Sequence, residues 1–210
     1  MLCIGTHAGV AIGEDGGSQM ALEDVAMFRS LFASTVWQPA DDVSSVFITE
    51  LALNNDGINY IRALRQVTPR IYSSSSEFSV GGLNILKKVY KNKPVIIASG
   101  TTVHEALKAS VSLNKEGYKV GVVDVYCLKP APTNELIEIA KNASLIITVE
   151  DHYSTGGLGE MVNSAIVGHK VKVINLAVES MPQSGSSAKL LAYEKINDKT
   201  LVKIIKDTKI

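Results

Sequence analysis

Short runs of branched apolar residues alternate along this chain with stretches whose apolar positions recur every three or four residues, the pattern of strands alternating with amphipathic helices. Leu2-Cys3-Ile4-Gly5, Thr35-Val36-Trp37 and Ile58 to Leu64 read as three strands; Pro39 ends the second, and polar Asn59 and Arg62 interrupt the third. From Met20 a helix is expected, with Leu22, Val25, Ala26 and Phe28 at helical spacing and Glu23 and Asp24 where the helix dipole favours negative charge. Asp41 or Asp42 caps a second helix, whose face carries Val43, Val46, Phe47, Glu50, Leu51 and Leu53 and which Asn54-Asn55-Asp56-Gly57 stops.

After residue 67 the periodicity lapses. Residues 68–80 hold Pro69 and the run Ser73 to Ser76, and read as a linker between a first unit, 1–67, and a second, 81–210. In the second unit Val95-Ile96-Ile97-Ala98 is a continuous apolar run of the kind that fills a buried parallel strand. Thr102 and Glu105 fit a capping box that opens the next helix, which ends at Glu116-Gly117. Further strands are expected at Val120 to Val125, Leu145 to Val149 and Val171 to Leu176. Helices are expected near Asn134 to Lys141, Gly159 to Val167, Ala188 to Tyr193 and Lys199 to Lys206. Repeated strand–helix alternation with short connections predicts an α/β fold of two mostly parallel, three-layer units.

Composition narrows the function classes. Lys plus Arg equals Asp plus Glu at 21 each, so no electrostatic footprint favours nucleic acid or an anionic membrane. No apolar run reaches the roughly 18–20 residues of a membrane span, and no basic segment precedes an apolar one at the start. Neither partner is expected, and the cytoplasm is the default location. Cys3 and Cys127 lie in apolar runs, where buried free thiols are expected rather than a disulfide or a metal site.

Candidate chemistry concentrates in Thr6-His7-Ala8-Gly9-Val10-Ala11-Ile12-Gly13-Glu14-Asp15-Gly16-Gly17-Ser18-Gln19, between the first strand and the first helix. Glycines give the backbone freedom, while His7, Glu14, Asp15, Ser18 and Gln19 supply donors and acceptors. Loops at the carboxyl ends of strands in α/β sheets are where small ligands bind. Taken alone, His7 reads as a cap or a satisfied core histidine, and Arg65, at the end of the third strand, as a surface ion pair. Glu150-Asp151-His152 with Gly156-Gly157-Leu158-Gly159 suggests a carboxylate–histidine pair or a phosphate cradle but lacks the spacing of a dinucleotide fingerprint. His104 and His169 read as solvated.

That loop, with Trp37-Gln38-Pro39-Ala40-Asp41, Ile61-Arg62-Ala63-Leu64-Arg65 and Glu150-Asp151-His152-Tyr153, resembles the pyrimidine-binding and C-terminal domains of transketolases over essentially the whole chain. The first unit then corresponds to an incomplete thiamin-diphosphate-binding fold and the second to a transketolase C-terminal-like fold. The resemblance implies transfer of a two-carbon ketol unit from a ketose phosphate to an aldose phosphate, as in the pentose phosphate pathway. It implies a catalytic and substrate-binding role for His7, substrate hydroxyl recognition by Asp15 and Gln19, and a phosphate grip by Arg65. Arg62 matches a second family arginine less tied to substrate, and Gly17 stands where the family usually has proline.

Thiamin diphosphate and Mg²⁺ are implied for the full enzyme, but the family's diphosphate motif and activating glutamate have no counterpart in these residues. A homodimer, or a pairing with an N-terminal transketolase half, is the implied assembly, and the chain alone is expected to be inactive. A strand beginning at Leu2 reads as a cut fragment. The other readings are the small subunit of a split transketolase, a non-catalytic dimerisation or regulatory module, and the C-terminal part of another thiamin-diphosphate enzyme. The last group comprises deoxyxylulose-phosphate synthase and a 2-oxoacid dehydrogenase β subunit.

Overall fold

The structure, a computed structural model, describes residues 1–208. Its strands are β1 (Leu2–Gly5), β2 (Ser34–Trp37), β3 (Ile58–Arg62), β4 (Asn84–Lys87), β5 (Lys93–Ala98), β6 (Gly121–Asp124), β7 (Cys127–Lys129), β8 (Ala143–Tyr153) and β9 (Lys172–Val178). The helices are α1 (Asp24–Ser30), α2 (Asp42–Leu53), α3 (Thr101–Lys115), α4 (Thr133–Asn142), α5 (Leu158–Ala165), α6 (Ser187–Tyr193) and α7 (Asp198–Asp207). They build two α/β units, each around a mostly parallel sheet.

The second sheet, in the order β4-β6-β5-β8-β9, is parallel except for β4 at its edge. Alternation along its strands sends Ile96, Val122, Ile147 and Val149 toward α3, α6 and α7, and Val95, Ile97, Val123 and Ile146 toward α4 and α5. Because both faces are covered at its centre, β5 and β8 carry nearly continuous apolar runs, while the edge strands β4 and β9 do not.

The first sheet has the order β1-β3-β2-β7. β3 is parallel to both neighbours, with Gly5 opposite Arg62 and Ser34 opposite Ile58. Its fourth strand, β7, comes from the second half of the chain and pairs antiparallel with β2. Two of the hydrophobic cores are shared as well: Val10, Ala11, Ile12 and Met20 pack with α3 and α6, and Val25, Val36 and Tyr60 pack with α4 and α5.

Residues 68–80 carry no helix or strand, yet side chains from both units hold them. Asp41 Oδ2 accepts from the amides of Ile71 and Tyr72 at 2.7 and 2.9 Å, and the Tyr72 hydroxyl donates to Asp124 Oδ2 at 2.6 Å. The amide of Ser79 donates to the Tyr126 hydroxyl at 3.0 Å. The serine run forms a tight turn closed by Ser76 N on Ser73 O at 3.0 Å.

Several local expectations change. α1 begins at Asp24 rather than Met20, because Ala21 takes a left-handed φ of 48° that no helix tolerates. α2 is capped by Asp41, which accepts from Ser44 N, as one of the two expected residues. Its buried face is Ser44, Ile48 and Ala52, however, and Val46 and Leu53 are exposed. No capping box joins Thr102 to Glu105: α3 starts a residue earlier, the Thr102 hydroxyl donates to the carbonyls of Ser99 and Val149, and Glu105 accepts from Lys108 Nζ and the amide of Asp198. His104 is not simply solvated, since its Nε2 lies 2.7 Å from Ala40 O. Both cysteines are free; Cys127 is buried but Cys3 only partly so.

Candidate functional site

Because β1 and β3 are adjacent and parallel, the segments leaving their carboxyl ends emerge side by side. The ladder continues one step past the strands, where the amide of Ala63 donates to Gly5 O at 2.7 Å. Two residues on, Arg65 Nη1 lies 3.1 Å from Asp15 Oδ2 and 3.4 Å from Ile12 O. The structure therefore brings together two of the four candidate substrate residues. Their side chains are 43% and 40% exposed, open to a ligand.

His7 and Gln19 are not hydrogen-bonded to that pair. His7 is exposed, with φ of 63°, and its Nδ1 lies 3.0 Å from Thr6 Oγ1. Gln19 is exposed and closes a short 3₁₀ turn over Gly17–Gln19. Among the described residues no hydrogen bond joins either side chain to Asp15 or Arg65.

The loop is held from both ends. The amide of Gly9 donates to Met20 O at 2.6 Å, closing it, and a 3₁₀ turn over Val10–Ile12 buries all three of its residues. Asp151, from the end of β8, accepts from Val10 N at 2.6 Å and Ala11 N at 3.1 Å. Only glycine fits at position 9: its φ is 85°, and a Cβ there would lie 2.1 Å from Asp151 Oδ2. Further along, the amide of Gly185 reaches Gly13 O at 3.4 Å.

Beneath this loop lies a buried ionic cluster that local sequence patterns do not reveal. Arg62 is fully buried, with Nε 2.9–3.0 Å from both oxygens of Asp24 and Nη2 donating to Asp151 O at 2.8 Å and Ala21 O at 3.2 Å. The Tyr60 hydroxyl donates to Asp24 Oδ2 at 2.6 Å, and burial beside that carboxylate raises the phenol's pKa. The available signal was a charged residue, Arg62, in a short strand with Ile58, Tyr60 and Ile61, where an arginine cannot be buried without a partner.

The Glu150-Asp151-His152 run is buried and its carboxylates face backbone amides, in keeping with a structural role. Glu150 accepts from the amides of Leu158 and Gly159 at the start of α5, at 2.6 and 2.8 Å. Burial pushes its carboxyl up to about 7 against those bonds and the nearby Arg62 and Arg29. Arg29 in turn donates to Gly156 O and to Gly157 O, the latter at 2.8 Å. His152 Nδ1 donates to Tyr153 O at 2.6 Å, and burial first, then the Arg62 charge, push its pKa down to about 4, so the ring is neutral at pH 7.

Next to Arg65, residues Gln66 to Ile71 form one wall of an open cleft of about 1170 Å³ whose other walls are α3, α6 and the start of α7. Among the described residues no group of three or more His, Cys, Asp or Glu side chains could hold a metal ion. No helix among them is long and apolar enough to cross a membrane.

The family pattern described as "Transketolase, pyrimidine binding domain" matches residues 1–70, and "Transketolase, C-terminal domain" matches residues 83–201. Transketolase of Mus musculus is 44% identical over 207 residues, covering 98% of this chain and 33% of its own length. Transketolase of Homo sapiens is 45% identical over 192 residues, covering 90% of this chain and 31% of its own. A solved structure described as "Split gene transketolase, inactive beta4 tetramer" superposes with a TM-score of 0.88 at 29% identity, covering 98% of this chain and 65% of that one. The chain thus spans about a third of the length of the curated relatives it matches. With its two halves matched in order to the two family patterns, the second over more than half of its residues, the chain belongs to the transketolase family.

Proposed function

We propose that the chain supplies the sugar-phosphate recognition part of a transketolase, an enzyme that moves a two-carbon ketol unit from a ketose phosphate to an aldose phosphate. The observation that carries this reading is the exposed Arg65–Asp15 pair at the mouth of two parallel strands, in a chain of this family. Without ligand the two side chains satisfy each other. An exposed pair of this kind is worth roughly 0–1 kcal/mol, so a ligand with better partners for both can open it.

The guanidinium of Arg65 then offers parallel donors to the phosphate, and the Asp15 carboxylate accepts from a sugar hydroxyl. Gln19 offers an amide to a neighbouring hydroxyl, and His7, at the start of the same loop, completes the recognition set in the catalytic and substrate-binding role. A sugar lacking one of these hydroxyls leaves a site group unpaired, at a cost of roughly 1–3 kcal/mol.

Thiamin diphosphate and Mg²⁺ belong to this proposal as the cofactors of the assembled enzyme. Most of the grip on them is assigned to polypeptide outside these 210 residues, while residues 1–70 match a pyrimidine binding domain. The proposed partner is accordingly an N-terminal transketolase half, in an assembly that is at least dimeric and cytoplasmic. The likeness to a split-gene transketolase described as inactive supports this reading, as do Phe32, 96% exposed on the loop after α1, and exposed Met27, Val46 and Leu53 on the helices beside the first sheet.

The test is reconstitution. Mixed with a transketolase N-terminal half, thiamin diphosphate and Mg²⁺, the chain is expected to support ketol transfer between pentose phosphates in a coupled assay, and to give none alone. Turnover with pyruvate in place of the ketose phosphate would move the assignment to a deoxyxylulose-phosphate synthase or 2-oxoacid dehydrogenase type of enzyme. No turnover with either substrate would overturn the proposal.

A further inference from the structure

We infer that Asp151 is a positioning residue that latches the candidate sugar-phosphate site to the second unit, so that the geometry of Asp15 and Arg65 depends on a side chain that touches neither.

Asp151 bonds to both segments that build the site, which also meet each other where the amide of Ala8 reaches Ala63 O at 3.5 Å. Its carboxylate accepts from Val10 N at 2.6 Å and Ala11 N at 3.1 Å in the loop that carries Asp15. Its carbonyl accepts from Arg62 Nη2 at 2.8 Å on the strand that delivers Arg65 three residues later. The amides and the carboxylate also need each other. The amides of Val10 and Ala11 open a 3₁₀ turn and have no carbonyl to reach within it, while burial raises the pKa of the Asp151 carboxyl and the nearby Arg62 charge, with these two bonds, works against that rise.

The consequence runs through one short stretch of backbone. The turn that Asp151 caps ends at Ile12, whose carbonyl faces Arg65 Nη1, and Asp15 follows three residues on. If Val10 to Ile12 shift, Arg65 loses its carbonyl partner and its carboxylate partner together. The close fit at Gly9, where a Cβ would strike the Asp151 carboxylate, shows that the loop backbone is packed directly on this side chain.

The inference rests on reading the loop as sugar-binding only for its catalytic consequence; the latch itself is a statement about backbone order. The experiment compares the 210-residue chain with Asp151→Ala, Asp151→Asn and, as a control, Asp124→Asn, which alters another fully buried carboxylate of the same unit, bonded to Tyr72 and not to the loop. Amide exchange by NMR is expected to speed up at Val10 and Ala11 by about tenfold or more in Asp151→Ala, while amides of β5 and β8 keep their protection. Asp151→Asn keeps one acceptor oxygen, so it is expected to retain protection at one of the two amides; Asp124→Asn is expected to leave both protected.

In the assembly reconstituted with an N-terminal half, Asp151→Ala is expected to raise KM for ribose 5-phosphate about tenfold, with a smaller effect on kcat. Unchanged protection of Val10 and Ala11 in Asp151→Ala overturns the latch, and so does equal loosening by Asp124→Asn. Loosened amides with an unchanged KM overturn the positioning role. If wild-type assembly turns over no sugar phosphate, the functional reading fails and exchange alone decides the latch. Should Asp151→Ala lose its β5 and β8 protection through unfolding, Asp151→Asn carries the comparison.

Discussion

Arg62 and Arg65 lie three residues apart at the end of one strand, each against an aspartate, and their surroundings give them opposite tasks. The Arg62–Asp24 pair is fully buried on the arginine side and tied to Tyr60, Ala21 and Asp151; the Arg65–Asp15 pair is about two-fifths exposed on both sides and shares one carbonyl. A buried charge cannot exchange its partner for water or for a ligand without a large desolvation penalty, whereas an exposed one can do so at almost none. The same chemistry is therefore scaffold at one position and available for recognition at the other. The lesson extends to the aspartates: Asp24 on α1 and Asp151 on β8 hold the chain, and Asp15 on the exposed loop is free to exchange its partner.

Substitutions at the two arginines should separate these tasks. Arg62→Met leaves Asp24 buried without its cation and is expected to cost about 3–5 kcal/mol in denaturant unfolding, enough to unfold a marginal domain. A loss below about 1 kcal/mol would erase the distinction between the two pairs. Arg65→Gln is expected to leave unfolding within about 1 kcal/mol of wild type while raising KM for ribose 5-phosphate by about tenfold or more in the reconstituted assembly.

Acid titration sharpens the same contrast. His152, whose pKa falls from 6.5 to about 4 on folding, binds fewer protons in the folded state than in the unfolded state between those values. Its contribution to stability is therefore present above pH 6.5 and lost as the pH falls toward 4. Glu150, raised from 4.5 to about 7, works in the opposite sense: the folded state binds more protons, so its contribution is present below pH 4.5 and lost as the pH rises through 7. Because Glu150 offsets His152 over much of this range, the test is the difference between the unfolding free energies of wild type and His152→Gln. That difference is expected to fall between pH 6.5 and 4; a difference independent of pH would contradict a buried neutral ring. The smallest expected effect is Asp15→Asn, with unfolding within about 0.5 kcal/mol of wild type and a weaker discrimination among sugar hydroxyls.

What could be read in advance follows from the range of the interactions involved. Unbroken runs such as Val95 to Ala98 and Leu145 to Val149 announce buried parallel strands, and Asp41 announces a helix start, because both signals are local. The partners of Arg62 lie 38 and 89 positions away in the chain, and nothing in the local pattern of Ile61-Arg62-Ala63 names them. β7 escapes for a related reason: Cys127–Lys129 follows β6 after only Val125 and Tyr126, with no Gly or Pro between, and tertiary pairing with β2 assigns it to the other sheet. Thr102 and Glu105 match a local motif but are recruited by distant groups, the Val149 carbonyl and the amide of Asp198, so tertiary contacts override the pattern. Within the site, sequence resemblance marks all four candidate residues, whereas hydrogen bonding links only Asp15 and Arg65.

Chemical labelling of the arginines tests the central claim most directly. Phenylglyoxal treatment of the reconstituted assembly, mapped by mass spectrometry, is predicted to modify Arg65 and spare Arg62. Saturating ribose 5-phosphate is predicted to protect Arg65, while Arg70, exposed and paired with Asp42 at 2.7 Å, reacts equally with and without the sugar. Equal labelling of Arg65 with and without the sugar phosphate, in an assembly that turns that sugar over, would contradict the assignment of Arg65 as the phosphate grip.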